Sequence, residues 1–311
     1  MSLSKSVRSF SKCFKKPRHY STVQVLRDWE TKTKANGNEI TFDEITGSQF
    51  NLLANTLGSS DFVNEKIPPK GTIVPPCWHH VYFPPRTQEP DLAADGYETS
   101  YFPPKPFSQR MWVGAQLTWS VDNPLRVGDQ NVMMKTSLDH AEVRHGRMGD
   151  SAMVWINKDI ENQHGWSMRE QRCLVYHPEQ PSVNVARGLI VKKQSDFSRT
   201  ITPSSILLFR YSALTFNSHK IHFDHEYATK VENHPACLVH GPLSGTLLID
   251  LLKNNINNKM KSFEYKCLTP LYVNKPLTLS GRKSNDPDRY ELWITNHMGH
   301  LAVKGSATIC I

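Results

Sequence analysis

The sequence lacks the patterns that mark several common protein classes. No stretch approaches the roughly 18 to 20 consecutive apolar residues of a membrane-spanning helix. The first residues also lack the apolar core of a secretory signal. Six cysteines are scattered along the chain, and no C-x-x-C pair occurs. These absences argue against a membrane span, a disulfide framework, a zinc ribbon and a redox dithiol, and they suit a reducing compartment.

Acidic residues are missing from residues 1–20, and this shortage explains most of the basic balance of the chain. The net charge is +8 and the sequence pI is about 9.1, values that could indicate a nucleic-acid partner. Six positive charges lie in those first twenty residues, at Lys5, Arg8, Lys12, Lys15, Lys16 and Arg18. Without them the rest of the chain is close to neutral, so we expect no nucleic-acid partner.

Residues 1–20 have the composition of a mitochondrial transit peptide, because they are basic, rich in serine and free of acid. Their apolar residues recur at roughly helical spacing, at Leu3, Val7, Phe10 and Phe14. Arg18 lies two residues before Tyr20, which predicts processing between Tyr20 and Ser21 and a location in the mitochondrial matrix. A disordered basic tail is the alternative interpretation.

Proline is concentrated in residues 66–107, which contain ten prolines. This density excludes long helices and central strands. We therefore expect a long surface excursion that is anchored by Trp78, Tyr82 and Phe83.

The remaining chain alternates between helix and strand signals. Ser48 is a candidate cap for a helix that ends at Gly58, and further helices are predicted at 204–213 and 242–252. Strand patterns occupy eight segments: 111–121, 131–145, 151–161, 167–177, 263–273, 276–284, 289–297 and 300–311. The segment LTWSVDNPLRVGDQ (117–130) also resembles FEYKCLTPLYVNKPL (263–277), which suggests a duplication. Each half is then predicted to hold a helix wrapped by an antiparallel sheet.

The most informative stretch runs from residue 210 to residue 252 and holds five of the fourteen histidines of the chain. His225 and His234 are expected at the surface. No pair of these histidines has the spacing of a compact zinc site with supporting Cys or Glu, so no metal is expected. His240-Gly241-Pro242 is a helix-start signal, whose unpaired backbone N–H groups suit a developing negative charge.

Two motifs in this stretch carry a family resemblance. YSALTFNSHKIHFD (211–224) followed by LVHGPLSGTLL (238–248) resembles the R-specific enoyl-CoA hydratase 2 and MaoC-like dehydratase family, and most of all its 3-hydroxyacyl-thioester dehydratase type 2 branch. The resemblance implies an α+β double hot dog, in which two antiparallel sheets each wrap a central helix. The implied organisation is a transit peptide (1–20), a degenerate hot-dog domain (21–180), a linker (181–203) and a catalytic hot-dog domain (204–311).

The same resemblance implies roles for individual residues. His222 matches the catalytic histidine of the family motif, whereas Asn217 replaces its aspartate and His219 its asparagine. An amide cannot exchange a proton at neutral pH. His222 is therefore expected to be the principal acid/base, with Asn217 or His219 positioning the water or the substrate hydroxyl. Gly241 matches the glycine whose amide polarises the thioester carbonyl. Three further residues are expected to bind the substrate: Phe216, His240 and Thr246.

The expected reaction is the reversible dehydration of (3R)-3-hydroxyacyl thioesters to trans-2-enoyl thioesters in mitochondrial fatty-acid synthesis, without a cofactor. The expected carrier is acyl carrier protein, met by a basic rim of Lys192, Lys193 and Lys253. Three alternatives remain open: a hydratase that acts on a CoA ester, a catalytically inactive acyl-thioester binding or assembly protein, and a hot-dog thioesterase. A homodimer also remains open, because a double hot dog already resembles a dimer internally.

Overall fold

The computed structural model describes residues 21–146, 149–178 and 188–311. The predicted transit peptide lies outside these residues. In the part of the chain that is described, no helix combines the length and the apolar character that crossing a membrane requires.

The described residues form four α-helices and ten β-strands. The helices are α1 (Thr22–Ala35), α2 (Gly47–Leu57), α3 (Ser205–Leu214) and α4 (Gly241–Lys253). The strands are β1 (Glu39–Asp43), β2 (Phe107–Trp119), β3 (Val132–Gly146), β4 (Gly149–Asn162), β5 (Gly165–Pro178), β6 (Phe197–Ile201), β7 (Met260–Cys267), β8 (Leu277–Lys283), β9 (Arg289–Thr295) and β10 (Leu301–Ile309). Short 3₁₀ helices lie at Trp78–Val81, Glu89–Asp91 and Lys220–His222, and a π-helical turn at Tyr227–Val231.

All ten strands belong to one sheet with antiparallel pairing, in the order β1-β3-β4-β5-β2-β7-β10-β9-β8-β6. Strands β2 and β7 pair between Gly114↔Lys266 and Thr118↔Ser262, and this pairing joins the two halves. Gly114 permits the close approach there, because a Cβ at this position would lie 2.1 Å from the carbonyl oxygen of Tyr265. The two predicted sheets are therefore one continuous sheet.

The order of elements repeats along the chain. After α1, each half has a short edge strand and a helix (β1 and α2, then β6 and α3), and four longer strands follow (β2–β5 and β7–β10), with α4 placed before β7 in the second half. The similar segments noted in the sequence occupy matching places, since each leads out of the strand at the junction. An isolated bridge joins Ile73 to Arg126 in the first half, and another joins Leu238 to Tyr272 in the second.

Helix α4 is the central helix of the second half. Nine of its 13 residues are buried, so it is apolar on most sides and needs a sheet wrapped around it. In the first half, the segment between Ile73 and β2 forms only the short 3₁₀ helices Trp78–Val81 and Glu89–Asp91. Among the described residues of the first half, no long helix therefore takes the place that α4 has in the second half. Helix α1 packs on the strands of this half, and its Leu26 belongs to a separate small core with residues of β2–β5.

The structure confirms the predicted strands and helices within a few residues, with some differences. The side chain of Thr46, not Ser48, caps α2, since it accepts a hydrogen bond from the backbone N–H of Gln49. Gly58 ends that helix with φ +67°, as predicted. Strand β7 stops at Cys267, earlier than expected. The sequence patterns missed β1 and β6, and β6 lies inside the predicted linker, where it pairs with β8.

Candidate active site

A cavity of about 520 Å³ lies where the two halves meet. His222, His219, Asn217 and Gly241 of the second half line it, so the structure brings the four predicted catalytic residues together. The first half supplies the opposite wall. The site is therefore built from both halves of one chain.

His222 ends the 3₁₀ helix Lys220–His222, and its side chain forms a hydrogen bond with the backbone. Its Nδ1 lies 2.9 Å from the carbonyl oxygen of Leu238, to which it donates. The backbone N–H of Leu238 in turn donates to the carbonyl of Ile221 at 2.9 Å. Burial lowers the pKa of His222 to about 4, although the bond to Leu238 opposes this shift. The imidazole is therefore neutral near pH 7, with the lone pair on Nε2.

His240 lies beneath His222 rather than on the cavity wall. The two rings are stacked, and the side chain of His240 is fully buried. Its Nε2 lies 2.8 Å from the hydroxyl of Ser212, and its ring meets the edge of Tyr211 at a centroid distance of 5.0 Å. This contact set supports the ring of His222. Direct contact with substrate, which the sequence predicted for His240, would require the two rings to separate.

Gly241 begins α4, and the side chain of His240 in front of it forms no capping hydrogen bond. Gly241 and Pro242 line the cavity, so the positive end of the helix faces it. Trp112 of β2 packs directly on Gly241, since a Cβ there would lie 2.3 Å from Trp112 Cδ1. A side chain at this position would force the two halves apart.

Asn217 and His219 lie on the loop between α3 and the 3₁₀ helix that ends at His222. The side-chain oxygen of Asn217 accepts from the backbone N–H of His219 at 3.0 Å. The rings of His219 and His222 meet edge to face, with centroids 5.6 Å apart. Burial holds the pKa of His219 well below its usual range, and the nearby His222 and Arg110 lower it further. His219 is therefore also neutral near pH 7.

Two predicted substrate-binding residues do not line the cavity. Thr246 is buried within α4, and its hydroxyl donates to the carbonyl of Pro242 at 3.0 Å. Phe216 is 60% exposed at a positive φ of 50°. Of the two histidines expected at the surface, His225 is exposed but His234 is buried. The backbone N–H of His234 donates to the carbonyl of Ala228 at 2.8 Å.

The wall from the first half contains a buried charge network that the sequence did not reveal. The carboxylate of Glu170 contacts the Nε2 atoms of His79 and His80 at 3.2 and 3.0 Å, and it contacts Arg172 at 2.8 Å. Burial opposes ionisation of Glu170, but Arg172 and the two histidines outweigh it and hold its pKa well below the usual range. Burial lowers the pKa of Lys158, another wall residue, to about 8.

The ligand atoms of His79, His80 and Glu170 lie within 4.8 Å of one another, close enough to share a metal ion. The guanidinium of Arg172 donates to the same carboxylate from Nε at 2.9 Å. A fixed cation on the ligand oxygen opposes a second one through charge repulsion. The geometry therefore suits an ion-pair network better than a metal centre.

Most of the proline-rich segment lies at or near the surface, as its composition predicted, but residues 77–83 are buried. Trp78, Tyr82 and Phe83 are buried anchors, as expected, but His79, His80 and Asp95 are buried as well. Proline prevents long helices and central strands without preventing burial, provided that the backbone groups find partners elsewhere. One such partner is the N–H of Lys220, which donates to the carbonyl of Asp95 at 2.8 Å.

The predicted basic rim does not surround the cavity. Lys193 forms a salt bridge with Glu291 at 2.7 Å, and Lys192 is its exposed neighbour. Lys253 ends α4, roughly 18 Å from Gly241 at 1.5 Å per residue. It lines a second cavity of about 400 Å³.

Comparisons with known proteins agree with this geometry. A family model described as hydroxyacyl-thioester dehydratase type 2 matches residues 77–273. The chain is 32% identical over 216 residues to mesaconyl-C(4)-CoA hydratase of Chloroflexus aurantiacus, across 68% of this chain and 76% of the relative. It is 31% identical over 237 residues to the mitochondrial hydroxyacyl-thioester dehydratase type 2 of Schizosaccharomyces pombe, across 68% and 78%.

The fold has solved counterparts. A MaoC-like dehydratase from Phytophthora capsici matches with a TM-score of 0.62 and 16% identity, over 88% of this chain and 95% of that one. This likeness confirms the α+β hot-dog fold that the sequence motifs implied.

Proposed function

Because the chain belongs to the hydroxyacyl-thioester dehydratase type 2 family, we propose that it dehydrates (3R)-3-hydroxyacyl thioesters to trans-2-enoyl thioesters in mitochondrial fatty-acid synthesis. It is a hydro-lyase that acts on acyl thioesters. One observation carries the assignment of the site: a neutral His222, with Nδ1 bound to Leu238, lies on the same cavity as the N-terminus of α4 at Gly241.

In our proposal His222 transfers the proton. Its Nε2 lone pair removes the C2 proton of the hydroxyacyl thioester, the C3–O bond breaks, and the double bond forms between C2 and C3. The same nitrogen returns the proton to the leaving hydroxyl, which departs as water. A neutral imidazole is ready for this cycle without an external proton. The reverse reaction begins when Nε2 takes a proton from water.

Gly241 supplies the electrostatic stabilisation. Removal of the C2 proton places enolate-like charge on the thioester oxygen. In our proposal the backbone N–H of Gly241 donates to that oxygen, aided by the positive end of α4. The absence of a side chain lets both Trp112 and the substrate approach the helix end closely.

We propose that Asn217 and His219 position the leaving hydroxyl or the attacking water. Asn217 occupies the aspartate position of the family motif and cannot exchange a proton, so we assign it a holding role. His219 stands at right angles to His222 and lines the same cavity. We assign His219 to the side of the reacting oxygen that is opposite to His222. His240 supports the ring of His222 from outside the cavity in this scheme, and no role in the reaction is assigned to Phe216 or Thr246.

Location and carrier form the remaining part of the proposal. The yeast relative carries the word mitochondrial in its name, and the composition of residues 1–20 supports import into the matrix. We propose acyl carrier protein as the carrier. A CoA ester is the second candidate, favoured by similarity to a relative that is named a CoA-ester hydratase. In either case residues 204–311 carry the acid/base, and residues 21–180 form the opposite wall, with 181–203 between them.

The test is an assay of the full chain with crotonyl-CoA, in which the chirality of the 3-hydroxyacyl product is resolved. We expect the R product, and a loss of about 1,000-fold or more in kcat for His222→Ala. His225→Ala, an exposed histidine nearby, is the matched control and should retain full activity. An S product, or undiminished turnover by His222→Ala, would contradict the mechanism. The ratio of kcat/KM for crotonyl-acyl carrier protein and crotonyl-CoA then identifies the carrier.

A further inference from the structure

A turn of the first half holds the catalytic loop of the second half. The backbone N–H of Lys220 donates to the carbonyl of Asp95 at 2.8 Å, and its ammonium donates to the carbonyl of Ala94 at 2.9 Å. The hydroxyl of Ser218 donates to the carbonyl of Gly96. Gly96 has a φ of +82°, and a Cβ there would lie 2.3 Å from the carbonyl oxygen of Ser218. The two segments therefore pack backbone against backbone.

The carboxylate of Asp95 is fixed within this turn. Arg110 donates to it from Nε at 2.9 Å and also donates to the carbonyl of Glu98 at 2.7 Å. The guanidinium carbon of Arg110 lies 4.5 Å from the ring centroid of Phe102 and 4.9 Å from that of Tyr97. The backbone N–H of Tyr97 donates to the other oxygen of Asp95 at 3.0 Å. These hydrogen bonds restrict the orientation of the Asp95 carboxylate.

The fixed carboxylate faces a ring nitrogen that needs a partner. Oδ2 of Asp95 lies 3.5 Å from Nε2 of His219. That nitrogen is buried and has no hydrogen bond, so the two groups are in contact but not yet aligned. Hydrogen bonds of catalytic groups often tighten only when substrate binds. An N–H on Nε2 would then be satisfied by Asp95, and the lone pair would lie on Nδ1.

We propose that Asp95 of the first half is a positioning residue of the active site: it fixes the tautomer of His219 whose Nδ1 holds the attacking water or leaving hydroxyl. No bond to Asp95 or His219 forms or breaks in this role, because the proton travels through His222. The inference rests on the proposed function. It makes the first half part of the catalytic machinery, not only a wall.

The surroundings of His219 suit this role. Burial, His222, Arg110 and His234 all lower its pKa, so its ring is neutral near pH 7 and offers a lone pair. A carboxylate that holds an imidazole in one tautomer is the arrangement by which hydrolases orient a catalytic histidine. Here the histidine replaces an asparagine of the family motif, so it needs such an orienting partner.

The test is a double-mutant cycle on the full chain with crotonyl-CoA as substrate. We expect Asp95→Asn to lower kcat by about 10- to 100-fold, as loss of an orienting partner typically does, with KM little changed. In a His219→Ala background, Asp95→Asn should cost no further activity, because its effect passes through His219. Asp91→Asn, an exposed aspartate of the same segment, is the matched control and should behave like the unmodified chain.

Two outcomes would overturn the inference: no effect of Asp95→Asn, or the same loss in both backgrounds, which would indicate a purely structural role. If Asp95→Asn does not fold by circular dichroism, Asp95→Glu takes its place in both backgrounds. It keeps the charge but displaces the carboxylate, so a smaller loss with the same dependence on His219 is expected. Full activity of His222→Ala would instead disprove the proposed mechanism, which keeps the two failures distinct.

Discussion

The imidazole rings of His222 and His240 lie stacked, with their centroids 3.7 Å apart and their planes 19° apart. Only one of them meets the cavity. The ring of His240 is hydrogen-bonded to the hydroxyl of Ser212 and fills the space behind the ring of His222. His222 therefore has a defined orientation before substrate arrives, which is the condition for efficient proton transfer.

This stacking predicts how substitutions at His240 behave. His240→Ala removes the support and leaves a buried void, so we expect kcat to fall by about tenfold or more, together with a loss of stability of about 2 kcal/mol. His240→Phe keeps a flat ring against His222 and should retain most of the kcat. Steady-state kinetics and urea unfolding of both variants provide the measurement. Equal activity of the Ala and Phe variants would show that the stack does not orient His222.

The pH dependence of activity follows from the burial of His222. Because burial lowers its pKa to about 4, the base form persists well below the pH at which an exposed histidine becomes protonated. We expect kcat/KM for crotonyl-CoA to stay level from pH 7.5 to about 5.5 and to fall only near pH 4 to 5. A profile that halves near pH 6.5, with folding intact by circular dichroism, would contradict the assigned role of this ring.

The same shift predicts how stability responds to acid. The neutral forms of His222 and His79 are favoured in the folded state, since burial lowers both pKa values to about 4. Between about pH 6.5 and 4, these two histidines are protonated in the unfolded chain but remain neutral in the folded chain. The free energy of unfolding should therefore fall as pH decreases through this window. Thermal unfolding from pH 7 to pH 4.5 checks this. Replacing His79 with Gln should reduce the slope of the melting temperature against pH.

Much of the second half could be predicted from local sequence patterns. Pro242 in the first turn and the apolar run behind it indicate α4, and the spacing within LTFNSHKIH places Asn217, His219 and His222 on one loop. Strands β1 and β6 were missed because each has five residues with a largely exposed burial pattern, so neither shows an apolar face. A strand of this kind is determined by pairing with a distant neighbour.

The residues of the first half that form the opposite wall of the cavity could not be predicted from the sequence, for a related reason. His79 and His80 meet Glu170 across about ninety positions of sequence, and Asp95 meets His219 across the junction of the two halves. No periodicity or spacing encodes such contacts. The proline content of residues 66–107 does not indicate which part of the segment enters the core, because it reports what the backbone cannot form and not where each residue lies.

The carboxylate of Glu170 gives the last prediction. It is fully buried and compensates Arg172. Glu170→Gln keeps the size of the side chain but leaves the partly buried guanidinium of Arg172 without its counter-charge, so we expect a loss of about 3 kcal/mol, the low end for a broken buried ion pair. Glu264→Gln, an exposed glutamate of β7, is the control and should change the free energy of unfolding by less than about 0.5 kcal/mol. Urea unfolding of both variants at pH 7 gives the comparison. A small effect of Glu170→Gln would mean that water reaches Arg172 through the cavity and replaces the lost charge.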